Sequence, residues 1–136
     1  MNRNLTLLFL GLLPSLNSLG AMDEKTVLVH YMPWFSAKPE SREWGWHWTM
    51  DHCDPNFVQW EGKREIASHN YPLIGVYDSG DKWVLECQVQ QMKLAGIDGV
   101  IIDWYGIDSI NDYPLIHDNV RLLVSIVKKA GLKFAI

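Results

Sequence analysis

The chain has 136 residues and a formal net charge of −4. No basic stripe runs along it, which argues against a nucleic-acid partner. Once the N-terminal segment described next is set aside, about 115 residues remain, enough for one domain.

Residues 1–21 read as a secretory signal peptide. Arg3 gives a positive start, residues 5–16 are an apolar core, and Ser18-Leu19-Gly20-Ala21 offers small residues for cleavage. The segment is too short for a membrane span with proper flanks, and no cysteine at its end invites a lipid. A retained amphipathic anchor is the alternative. The mature chain, residues 22–136, is therefore expected to be secreted or periplasmic, with no membrane span after signal cleavage.

Val27-Leu28-Val29-His30-Tyr31-Met32 is β-branched and apolar, and Pro33 stops it, because proline cannot donate to a sheet ladder. Residues 34–80 follow as one long irregular stretch, broken repeatedly by proline and glycine. A loop of that length is commonly functional. It carries Trp44-Gly45-Trp46-His47-Trp48, three indoles and an imidazole within five residues. Just beyond lie His52, Cys53 and Asp54, which suggest a metal, but no paired CxxC or HExxH motif supports one. No metal or other cofactor is expected.

A helix follows, capped by Asp78 or Ser79, with Leu85, Val89 and Met92 as its apolar stripe and Gly96 as its stop. Trp83 on this helix receives no role. Next, Ile97-Asp98-Gly99-Val100-Ile101-Ile102-Asp103 is a nearly continuous apolar run, the mark of a strand covered on both faces. Trp104-Tyr105-Gly106 ends it. A second helix spans about residues 114–130, with Pro114 in its first turn, Lys128 and Lys129 in its last and Gly131 closing it. His117 near its start reads as a solvated or capping residue. Residues 132–136 begin a third strand. Cys53 and Cys87 can pair in an oxidising compartment or serve as small buried apolar residues.

Strand, loop, helix, strand, helix, strand is the order that builds a parallel sheet with crossover helices. It fits the N-terminal portion of a (β/α)8 TIM barrel, about two and a half β/α units, the remainder lying beyond residue 136. A flavodoxin-like sheet is the alternative, but its short, glycine-rich phosphate loop has no counterpart here. In a barrel, the ends of the strands and the loops after them form the active site. His30, Tyr31, Pro33 and Trp34 at the end of the first strand qualify, as do Asp103, Trp104 and Tyr105 at the end of the second, and Trp46, His47 and Trp48 in the long loop. Indoles pack on the C–H face of a pyranose while carboxylates and imidazoles bind its hydroxyl rim. The competing reading is that the rings knit the loop onto the barrel.

Three blocks carry a resemblance. They are Trp44-Gly45-Trp46-His47-Trp48-Thr49-Met50, residues 64–79 (REIASHNYPLIGVYDS), and residues 96–106 (GIDGVIIDWYG). With them the chain resembles glycoside hydrolase family 71/99-like proteins, related to the family 99 endo-α-mannosidases and endo-α-mannanases. The resemblance implies a barrel that cleaves α-linked, mannose-containing glycans with retention and without a metal. It implies two catalytic glutamates later in the barrel, so no catalytic residue is expected in this chain. One glutamate acts as acid and the other as base, helping the sugar's own 2-hydroxyl to attack. Tyr31 resembles a tyrosine near the reacting sugar, His47 and Trp48 the His-Trp of the first loop, and Trp104 the tryptophan flooring a non-reducing-side subsite. Asp103 departs from the pattern, standing where the mannosidases carry an uncharged residue. The expected partner is a polysaccharide or oligosaccharide, and the full-length protein is expected to be a monomer. A non-catalytic carbohydrate-binding protein of the same fold is the alternative, and an unrelated α/β domain using its aromatic loop to bind a protein is a third reading.

Overall fold

The computed structural model describes residues 25–136, so the expected signal segment lies outside the described residues. The elements are β1 (Leu28–Tyr31), a single turn α1 (Trp46–Thr49), α2 (Lys82–Leu94), β2 (Gly99–Ile102), α3 (Tyr113–Lys129) and β3 (Lys133–Ala135). The strands form one parallel sheet in the order β1-β2-β3. The α1 turn, inside the long loop, is the one element that periodicity did not suggest.

Side-chain alternation gives the sheet two unlike faces. Val29, Tyr31, Val100 and Ile102 point toward the helices, where Leu85 and Val89 of α2 meet Ile116, Val120, Leu123, Ile126 and Val127 of α3. Each such apolar side chain taken from water contributes about 1.5–3 kcal/mol. Leu28, His30 and Ile101 point to the other face, which is exposed among the described residues. The second strand, expected to be covered on both sides, is thus covered on one here: Val100 is buried and Ile101 is 43% exposed.

At the N-terminal end of the sheet Asp98 ties the three strands together. Its backbone N–H donates to the Val27 carbonyl (2.9 Å), and its carboxylate accepts the Val27 N–H (2.7 Å). Its carbonyl accepts the Lys133 N–H (2.8 Å). Beside it, Gly99 lies so near β3 that a Cβ would overlap the Lys133 carbonyl. Only glycine permits that approach.

The cap of α2 differs from the sequence expectation. Asp81 performs it, accepting from the N–H groups of Trp83 (2.8 Å) and Val84 (3.5 Å). Asp78 and Ser79 are buried instead and hold the long loop. The Asp78 carboxylate accepts from the Ala37 N–H (2.8 Å), the Ser41 hydroxyl (2.5 Å) and the Gly80 N–H (2.7 Å). Ser79 exchanges two bonds with the backbone of Phe35. Asn119 of α3 donates to the Pro33 carbonyl (2.9 Å), fastening the exit of β1 from a second side. An Asp81→Ala variant is therefore expected to lose about 1 kcal/mol of stability. A denaturant melt checks this, and Asp81→Asn should restore most of the loss.

Candidate functional site

Parallel strands deliver Trp34, Asp103, Trp104 and Tyr105 to the same end of the sheet, and the fastened loop brings Trp46 and His47 over it. The rings of Trp34 and His47 stack at 4.3 Å with planes 4° apart. Tyr105 lies parallel to Trp34 at 6.4 Å and stacks on Tyr113 at 5.3 Å. Trp46 meets His47 edge-on at 5.3 Å. Residues from the β1–α2 loop and the β2–α3 connection thus interleave into one aromatic wall.

Polar groups sit among the rings. His47 Nε2 is 3.4 Å from Asp112 Oδ2. Burial lowers the imidazole pKa more than the Asp112 carboxylate raises it, so the ring is uncharged at neutral pH and the contact is polar rather than ionic. On the open face, His30 Nε2 is 3.6 Å from Asp103 Oδ1. The Tyr105 hydroxyl donates to Asp103 Oδ2 at 3.4 Å. Desolvation, and after it the nearby Asp103 carboxylate, raises the pKa of that phenol, keeping it a neutral donor.

Two expected site residues stand elsewhere. Trp48 is buried, with 1% of its surface exposed, and its indole N–H donates to the Tyr77 carbonyl (3.0 Å). It packs on Phe35 at 4.2 Å and edge-on to Tyr77 at 5.4 Å. A ligand cannot reach it: alternate residues of the α1 turn point apart, so Trp46 faces out while Trp48 faces in. Tyr31 points to the helix side of the sheet, where its hydroxyl donates to Gln88 of α2. Burial, and after it Tyr77, pushes that phenol far above the usual range.

His30, one of the residues expected at the end of the first strand, shares a face with Ile101 and lies beside Asp103. Other residues here were given no site role by the sequence. His117, expected to be solvated or capping, is half-buried. It lies against Trp104, ring centres 6.0 Å apart, with its Nδ1 enclosed and unpartnered. Asp112 and Tyr113 had no sequence signal, because their proximity to His47 arises only in the fold.

The stretch considered for a metal does not converge: His47 faces Asp112, and His52 Nδ1 contacts the Met50 carbonyl at 2.6 Å. Cys53 and Cys87 are both free thiols. Among the described residues no helix is long and apolar enough to cross a membrane.

A cleft of about 910 Å³ opens beside the aromatic wall, between the β1–α2 loop and the β2–α3 connection. Arg42, Glu43, Trp46, Tyr105, Asp112 and Tyr113 line it.

Comparison with known proteins places this geometry in context. No known family profile matches the chain. Over 75 aligned residues it is 33% identical to glycoprotein endo-alpha-1,2-mannosidase of Mus musculus, covering 48% of this chain and 16% of that protein. Its fold is similar to two structures of the GH99 endo-alpha-mannosidase of Bacteroides thetaiotaomicron. One, in complex with Bis-Tris propane, has a TM-score of 0.59 at 23% identity, covering 79% of this chain and 28% of that one. The other has a TM-score of 0.58 at 21% identity, covering 79% and 31%. The chain thus spans less than a third of the length of these relatives. The resemblance to family 99 endo-α-mannosidases, first seen in the three sequence blocks, holds in sequence and in fold.

Proposed function

We propose that this chain is part of an exported glycoside hydrolase of the family 99 type, acting with retention on α-linked, mannose-containing glycans. In this reading the parallel sheet is a segment of a (β/α)8 barrel. Leu28, His30 and Ile101 face its interior, and β1 and β2 open onto its active-site end. The observation that carries the reading is Trp104. Its ring is partly exposed immediately after β2 and lies against His117 of α3, and its two neighbours in sequence, Asp103 and Tyr105, are joined by a hydrogen bond. That is an apolar face flanked by hydroxyl-binding groups, which is what a pyranose requires.

The roles are binding and orientation. Trp104 stacks on a sugar ring, and Asp103, fixed by His30 and Tyr105, accepts from its hydroxyls. The catalytic carboxylates, an acid and a base assisting the sugar's 2-hydroxyl, are supplied by residues other than these 136. Trp34 and His47 brace the wall on which the glycan lies.

Trp104→Ala in the full-length protein is expected to weaken binding of a manno-oligosaccharide by about 1–3 kcal/mol, the range for flat rings stacking on aromatic side chains. Its melting temperature should stay close to that of the parent, because the ring is partly exposed already. Calorimetric titration beside thermal melts checks both. Unchanged affinity with a collapsed melting temperature would make Trp104 a packing residue and overturn the reading. Glycan binding without any hydrolysis by the full-length protein would point instead to a carbohydrate-binding protein of the same fold.

A further inference from the structure

One enclosed polar group takes no part in the glycan site as described. His117 is half-buried on α3, and its Nδ1 is enclosed without a hydrogen-bond partner. Buried polar atoms are nearly always paired, and an unpaired one costs stability. A phenylalanine at 117 would fill the space without that cost. The imidazole lies against the Trp104 indole, with ring centres 6.0 Å apart and planes 39° from parallel. We propose that His117 is a positioning residue for Trp104. It braces the indole and, when a sugar stacks on that ring, accepts the indole N–H at Nδ1. The proposal rests on the glycan reading and supplies what that reading lacks, a means of holding its central ring.

Three observations favour that role. The first is how the other indoles are held. Trp44, Trp46 and Trp48 each donate Nε1–H to a fixed acceptor: Asn56 (2.9 Å), Asp51 (2.8 Å) and the Tyr77 carbonyl (3.0 Å). For the partly exposed Trp104, no such acceptor is engaged among the described residues, and its aromatic neighbour is an imidazole with an unpartnered nitrogen. A stacking ring that must be ordered by its ligand loses affinity to that ordering, so a built-in brace strengthens binding.

The second is the rigidity of the backbone beneath the imidazole. Ile116, next to it, is 1% exposed in the core, and Asn119, two residues on, donates to the Pro33 carbonyl (2.9 Å). The start of α3 is thus fastened to the exit of β1, while Trp104 leaves the end of β2. His117 therefore ties the ring at one strand end to the position of the other, and a side chain on a packed helix holds its partner more tightly than one on a loop. The third is chemical complementarity. With its proton on Nε2, a neutral imidazole presents Nδ1 as an acceptor, and an indole N–H is a donor only.

The test is calorimetric titration of the full-length protein with α-linked mannotetraose, beside thermal melts. His117→Phe keeps a ring of similar size and removes the unpartnered nitrogen, so it is expected to melt at or above the parent temperature. It should nevertheless bind about fivefold more weakly, the scale of one hydrogen bond between uncharged groups. His117→Asn, whose amide oxygen can stand in for Nδ1, should recover much of that affinity. In a Trp104→Ala background, His117→Phe should change affinity no further, because the two residues act as a unit. Parent-like affinity for His117→Phe, or the same fivefold loss when Trp104 is absent, would overturn the positioning role while leaving the strand-end site intact. If Trp104→Ala itself does not weaken binding, the glycan reading falls and this proposal falls with it.

Discussion

Replacing Trp48 by alanine is expected to destabilise the protein by about 3–5 kcal/mol, the range for removing a large aromatic ring from a packed interior. The indole is almost fully enclosed, between Phe35 on one side and Tyr77 on the other. Its N–H satisfies the Tyr77 carbonyl, and its own carbonyl accepts the Ala67 N–H at 2.8 Å. Alanine would leave both a cavity and an unpaired carbonyl. Trp48→Phe fills most of the space but still orphans Tyr77, so an intermediate loss is expected. Denaturant unfolding of the three proteins gives the comparison. Glycan affinity, measured where each variant remains folded, should change little. An unaltered melt with weakened binding would place the ring at the ligand after all.

Asp78→Ala is expected to cost about 2–4 kcal/mol. One carboxylate accepts three bonds, from Ala37, Ser41 and Gly80. Bonds to charged groups are individually worth about 1.5–3 kcal/mol, and an abandoned buried N–H adds a desolvation penalty. Ala37 is 2% exposed, so no water stands ready to replace the lost acceptor. Asp78→Asn keeps an acceptor but presents an amide donor to other donors, and should fall between. A loss below about 0.5 kcal/mol, the scale of an ordinary surface substitution, would show that the loop is held some other way.

Much of the scaffold was legible because its signals are local. The apolar stripe of α3 repeats at helical spacing and is buried as expected, and Gly96 and Gly131 follow the helix ends with positive φ. The strands sit within a residue or two of their apolar runs. What could not be read is where long-range polar bonds go. Asp78 and Asp81 both look like N-caps, since each precedes the same helical stretch. The choice depends on which one the returning loop needs, and that loop comes from more than thirty residues earlier.

The candidate site shows the same division. Residues at strand ends, Asp103, Trp104 and Tyr105, follow directly from the parallel topology. Within Trp44-Gly45-Trp46-His47-Trp48 composition could not say which indole faces out. A single turn of helix at α1 decides it, and one turn is too short to leave a periodic trace. Asp112, which meets His47, lies at the start of α3 and enters the site only when the sheet brings the two loops together.

Asp98 and Gly99 lie at the far end of the sheet from these loops, and that separation bears on how the protein can change. The alignment of the three strands is set where Asp98 bridges Val27 to Lys133 and where Gly99 admits the neighbouring backbone. Nothing in that fastening depends on the length or sequence of the connections at the opposite end. The β2–α3 connection can therefore be lengthened, shortened or exchanged between relatives without shifting strand register. That segment can then vary while Asp98 and Gly99 stay fixed for reasons unrelated to any ligand. In a library randomised across residues 105–111, folded members should remain common. Randomising 98 and 99 should leave few.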